Sequence, residues 1–226
     1  MFEKPPVSVD VGGIKYNINS DFRVMMEFEE MIYAKPTKDQ EAFARRMMQF
    51  DDDLTFEDAC MNAKYYEALN SFYCGNIPGD IGEAFEKLLW FYRCGKEINT
   101  KKTGKATKRI YSFKHDADYI NAAFLQDYKL DLTEVQYMHW WKFMSLFTSL
   151  RDECKICEIM GWRGADLKEL GKEERKKVKK MQKLYAFPDD TTKEDKDLLS
   201  KVTEALARGD AESIDMLLSI EQSGKA

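Results

Sequence analysis

The stretch DLTEVQYMHWWKFMSLFTSL (131–150) decides the fold class. Asp131 followed three positions on by Glu134 is a helix-opening pair, able to accept hydrogen bonds from the free N–H groups of a first turn. Behind it Leu132, Val135, Tyr137, Met138, Trp140, Trp141, Phe143, Met144, Leu146, Phe147 and Leu150 cover most of a helical circumference. A helix apolar on all sides must be buried on all sides. The spacing predicts one long helix here, central to a core or covered in part by another chain.

Helical periodicity continues in both directions from this segment. Upstream, Tyr111 to Phe113 leads into a predicted helix over 115–128, and others are predicted over 39–50, 55–74 and 80–94. In the third of these four, Thr55 with Asp58 makes a variant capping box, and Phe56, Cys60, Ala63, Tyr66, Leu69 and Tyr73 recur every three or four residues, the pattern of one buried face. A first helix starts at Ser20, read as its N-cap, and stops at Pro36. Downstream, helices are predicted over 152–160, 165–170 and 172–185, with two amphipathic helices over 192–222 divided at Gly209-Asp210. Near the N-terminus, Val7 to Val11, Gly12-Gly13 and Ile14 to Ile18 alternate apolar and polar residues around two glycines, a β-hairpin signature. The expected fold is mainly α, a multi-helix globular protein with a short N-terminal β-hairpin.

Composition agrees with a folded chain. The 226 residues are 44 % hydrophobic and 13 % aromatic, with 35 Lys+Arg against 40 Asp+Glu, enough apolar area to offset chain entropy and too little charge imbalance for intrinsic disorder. No run of 18 apolar residues is present, so no membrane span is expected. The N-terminus lacks a basic segment leading into an apolar one. Five cysteines, an odd number spread through helical patterns, fit a reduced compartment, and a cytoplasmic location is expected.

Four regions follow from composition: a hairpin-plus-helices region over 1–94, a basic linker or loop over 95–109, an aromatic-rich helical region over 110–187, and an acidic two-helix tail over 188–226. The linker carries six basic and one acidic side chain, whereas 21–58 carries eleven acidic against five basic. Opposed clusters in a chain of net charge −5 fit protein partners or self-association better than a nucleic acid, which asks for one contiguous basic surface.

Motifs for chemistry are sparse. Cys154-Lys155-Ile156-Cys157 is the single C-x-x-C, and with His139 it would supply three zinc ligands without a fourth. A thioredoxin-type use asks for a preceding strand and a helix opening at the first cysteine; buried reduced cysteines are the simpler reading. Asp51-Asp52-Asp53 lacks the glycine and glutamate of a calcium loop, having Phe56 and Asn62 at those positions. His115 and His139 belong to no recognisable catalytic arrangement, and no phosphate-cradling glycine loop occurs. No catalytic residue, metal ligand or cofactor is expected. The aromatic and Met-rich content instead suggests an adaptable binding surface. Its candidates are Trp90, Tyr92, Trp140, Trp141, Phe143, Met144 and Trp162, with Lys101, Lys102 and Lys105 of the basic loop.

The strings GGIKYNINSDFRVMMEFEE (12–30), LLWFYRCGKE (88–97), RIYSFKHDADYINAAFLQDYKLDLTEVQYMHWWKFMSLFTSL (109–150), IMGWRGADL (159–167) and KKMQKLYAFPD (179–189) resemble the bacteriophage gene-product-15 family of long-tailed phages and prophages of Gram-positive hosts. The resemblance covers about 7–189. It implies a mainly helical, non-enzymatic protein whose gene lies just before that of the tape-measure protein, the position typical of tail assembly chaperones. The implied partners are the tape-measure protein and the tail-tube protein, in the host cytoplasm, with self-association as a further option. Alternatives are a structural tail or neck component kept in the virion and a nucleic-acid-binding morphogenesis factor. The family carries no catalytic residues to transfer. Tyr111, Phe113, Asp118, Tyr119, Trp140, Trp141, Lys142 and Gly161 recur in it as marks of the fold.

Overall fold

The computed structural model of the chain describes residues 4–96 and 108–187. Strands β1 (Ser8–Val11) and β2 (Ile14–Asn17) pair antiparallel, Val11 opposite Ile14 and Ser8 opposite Asn17. Gly12 and Gly13 close the hairpin with φ of 59° and 77°, positive values that a two-residue turn needs to match strand twist. Eight helices follow among the described residues: α1 (Phe22–Tyr33), α2 (Lys38–Met47), α3 (Phe56–Phe72), α4 (Ile81–Tyr92), α5 (Ala117–Tyr128), α6 (Trp140–Phe147), α7 (Lys155–Gly164) and α8 (Lys172–Leu184). None of them is long and apolar enough to cross a membrane.

Side chains fix the starts of the first four helices. Thr37 and Gln40 satisfy each other's backbone N–H groups at α2, and Thr55 and Asp80 accept from Asp58 and Glu83 at α3 and α4. At α1 the cap is Asp21 and not Ser20. Its carboxylate accepts the Arg23 N–H at 3.0 Å, while Ser20 is buried and uses its carbonyl to accept the Trp140 N–H at 2.9 Å.

Two compact units divide the described residues, one comprising 4–96 with 139–141 and the other 108–138 with 142–187. In the first, α3 packs against α1, α2 and α4. Such a central helix is buried around most of its circumference, and Lys64, in its middle, is taken out of water by donating to the Ala34 carbonyl that ends α1. The single buried face read from the sequence is therefore corrected: Tyr66 is exposed, stacked on Phe43 at 5.9 Å, whereas Tyr65 is buried.

In the second unit Phe124, Phe143 and Phe147 form a parallel stack with centroid separations of 5.2 and 5.8 Å, and Phe113 packs edge-on against Phe143. Asp116 and Arg163 meet in the same unit, 2 % and 8 % exposed. The guanidinium donates to both carboxylate oxygens at 2.6 and 3.0 Å and to the carbonyls of Ile110 and Tyr185. Asp116 also accepts the Ser112 N–H at 2.9 Å. One ion pair thus ties 110–116, α7 and the end of α8 together, with its hydrogen-bonding capacity largely met, the condition under which a buried pair is tolerated.

Two predicted helices do not form as read. The long helix over 131–150 is confined to Trp140–Phe147. Asp131 accepts from the Thr133 N–H and hydroxyl and from the Asn121 amide, and Asn121 accepts the Leu132 N–H. Side chains have captured the N–H groups around Asp131 in a local turn, the familiar competition of short polar residues with a helix. Over 165–170 the chain makes turns in which Asp166 accepts from the Lys168 N–H. The helix read over 152–160 begins later, at Lys155, and runs to Gly164. The tail helices read over 192–222 lie outside the described residues.

Asp116→Asn removes the counter-charge while leaving the guanidinium enclosed. The expected loss is about 3–5 kcal/mol of unfolding free energy, measured by urea denaturation, against about 1 kcal/mol or less if the pair behaved as a surface bridge.

Candidate functional site

The end of α4 is where the aromatic candidates converge. The last carbonyls of a helix have no intrahelical donor, and two of them, of Phe91 and Tyr92, accept the indole N–H groups of Trp141 and Trp140 at 2.9 and 2.8 Å. Tyr92 and Trp140 stack at 5.8 Å, and Trp90 meets Trp141 edge-on at 5.4 Å. Gly95, at φ 73°, follows so closely that a Cβ there would lie 2.9 Å from the Trp141 ring. His139 completes the insertion. Its Nδ1 accepts the Trp141 N–H at 3.0 Å, which leaves the proton on Nε2 to donate to the Pro6 carbonyl at 2.9 Å. Burial pulls its pKa below the ordinary 6.5.

This arrangement redistributes the predicted binding residues. Trp140 and Phe143 are 1 % and 0 % exposed and serve the cores of the first and second unit respectively, which corrects their reading as surface. Trp90, Tyr92, Trp141, Met144 and Trp162 are half-buried. Trp162 stacks on Tyr185 at 5.4 Å with the Lys155 ammonium 4.5 Å from its ring centre. Lys101, Lys102 and Lys105 lie outside the described residues.

The C-x-x-C segment does open a helix, with Cys154 at the N-cap of α7, but the preceding residues form turns and not a strand. Cys154 donates its thiol proton to Asp127 at 3.4 Å. Arg151 holds that carboxylate with its backbone N–H at 3.0 Å and its guanidinium at 2.6 Å, keeping the Asp127 pKa below the usual carboxylate value. Burial first, and the Asp127 hydrogen bond and charge next, push the Cys154 pKa above 9.0. A thiol so placed is a poor nucleophile. Asp51 accepts from the Asp53 N–H at 3.1 Å in the turn before α3. Among the described residues, no three His, Cys, Asp or Glu side chains are grouped to hold a metal ion.

Several large apolar side chains are also exposed. Val7, Ile14 and Phe50 in the first unit are 58 %, 60 % and 69 % exposed, and Tyr137 and Leu184 in the second 57 % and 66 %. The sequence reading missed these, because attention to the densest aromatic run selects residues that a core needs first. It also missed Arg163 and Asp116, whose partnership no local spacing announces.

The family model of Bacteriophage Gp15 protein matches residues 1–187. The chain belongs to the Bacteriophage Gp15 protein family. No curated protein and no solved structure matches it. Membership in the Gp15 family gives the chain a phage structural or morphogenesis role. The match spans the hairpin and all eight described helices, and the 140–141 tryptophan pair lies within it.

Two measurements check this geometry. Because the folded pKa of His139 is depressed, the unfolded chain binds that proton more readily. Its stabilisation is complete above about pH 6.5 and is lost as pH falls through the lowered folded value. Unfolding free energy should therefore decline on acidification below about pH 6.5 by more in the native chain than in His139→Asn. In a pH profile of alkylation followed by peptide mass spectrometry, Cys154 should show a midpoint above 9.0, and Asp127→Asn should move it down.

Proposed function

We propose that this Gp15 protein is a non-enzymatic tail assembly chaperone that binds the phage tape-measure protein in the host cytoplasm. Family membership over residues 1–187 carries the reading. The resemblance described above implies a gene beside that of the tape-measure protein. Exposed apolar side chains in each unit, Val7, Ile14 and Phe50 in the first and Leu184 in the second, support it, since apolar side chains left in water favour a partner that buries them. The opposed charges along the chain, with 21–58 strongly acidic and 172–183 carrying seven basic residues against two acidic, would set register and keep the complex soluble. Recruitment of tail-tube protein is the further partner interaction this reading contains.

Co-expression tests it. The tape-measure protein of the same phage should remain soluble and co-purify with the full-length chain, and should aggregate alone. Equal solubility without the chain, together with no complex, overturns the proposal. Proteomics of purified virions provides the second arm: the chaperone should be absent or strongly depleted. Stoichiometric retention in particles would make the protein a structural tail or neck component instead.

A further inference from the structure

In an antiparallel pair closed by a two-residue turn, the residues flanking the turn exchange both backbone hydrogen bonds, and every second pair outward does the same. Here those pairs are Val11 with Ile14 and Val9 with Tyr16, and the series continues as the Ile18 N–H donates to the Val7 carbonyl at 3.1 Å. Ser8 and Asp10 therefore direct their N–H and C=O groups away from β2. The sheet has two strands among the described residues, so this outer edge of β1 has no strand beside it. An edge of this kind is a template for a further strand.

The edge borders a cleft of about 510 Å³ between β1 and one face of α4, within the first unit. Ser8 and Asp10 line one side, and Glu86, Leu89, Trp90 and Arg93 line the other. The Gly12 N–H donates to Glu83 at 2.7 Å and holds the hairpin turn against the start of α4. Arg93 is the unusual member. Its Nε and Nη1 are buried and make no hydrogen bond. Burial draws its pKa below the ordinary arginine value, and the charge of Glu86 opposes that shift without a hydrogen bond to the guanidinium. Asp10 is occupied in accepting the Gly13 N–H at 3.1 Å, and the neighbouring Lys87 is paired with Glu83 at 3.5 Å. The cleft thus offers outward main-chain groups at strand spacing, apolar contact from Leu89 and Trp90, and in its lining the half-buried Arg93 guanidinium, which makes no ion pair among the described residues.

We infer that this cleft takes an extended segment of a partner polypeptide bearing an Asp or Glu, which adds to the outer edge of β1 while its carboxylate accepts from Arg93. Strand addition of this type takes affinity from main-chain hydrogen bonds and selectivity from side-chain pockets. A carboxylate matches the guanidinium better than a neutral acceptor, because charge-assisted bonds are the stronger ones. The inference does not depend on the tape-measure reading.

The probe is an acetylated, amidated heptapeptide alternating Thr and Val with Glu at its centre, titrated to about 1 mM into the isotopically labelled full-length chain and followed by amide NMR. The Ser8 and Asp10 amides and the Trp90 indole should shift together. The same peptide with Gln in place of Glu should bind about tenfold more weakly. Arg93→Gln should abolish that preference. Ser8→Pro removes an outward N–H without touching the β1–β2 ladder, and should lose binding with an unchanged melting temperature. Equal binding of the Glu and Gln peptides, shifts confined to other residues, or no shift at all would overturn the inference. So would a concentration-dependent dimer that shifts the same amides without peptide, which would give the edge to a second copy.

Discussion

A helix that ends inside a protein must find donors for its last carbonyls, and α4 finds them in two consecutive tryptophans about fifty positions away in sequence. The indole N–H groups of Trp140 and Trp141 reach the Tyr92 and Phe91 carbonyls, and the rings then cover the aromatic end of the helix. Much else in the first unit follows from this insertion. His139 is drawn into a bridge with Asp21, Ser20 gives its carbonyl to Trp140, and Gly95 is left no room for a side chain. Tryptophan suits the place because it brings a large apolar body and a single donor.

The second unit rests on a different solution. Around its phenylalanine stack the irregular segment 110–116 would carry unsatisfied backbone groups into the interior, a costly outcome. Arg163 and Asp116 reduce that cost together, with the guanidinium taking the Ile110 carbonyl and the carboxylate taking the Ser112 N–H. A planar, multi-donor cation is needed for this geometry, and lysine would not replace it.

Local signals in the sequence were reliable where they were self-contained. The paired glycines, Thr55 before Asp58 and the break at Pro36 mark turns and caps whose physics is complete within a few residues. Reading failed where a tertiary demand outranked the local pattern. Apolar residues over 131–150 fit a helix everywhere, yet Asn121 and Asp131 divert the first turn and the rest is recruited elsewhere before Trp140. Likewise Tyr65 and Tyr66 are indistinguishable by type, and only the packing around α3 decides which one is buried. Among the aromatic binding candidates, the sequence had no means of separating rings that fill a core from those that reach the surface. Arg93 and the β1 edge were illegible for a related reason, since an unmet donor is visible only after its neighbours are placed.

Helix α6 begins with two residues that pack in the first unit and continues with residues that belong to the second. The chain therefore returns to its N-terminal half for three residues after having left it. During synthesis domains ordinarily form as their residues emerge, the N-terminal one first. Here the N-terminal half cannot finish when its own helices have been made; the ribosome must first deliver the histidine and both tryptophans. Until then the nascent chain carries an unfinished aromatic seam, and a stop placed between the two halves would release a permanently incomplete product.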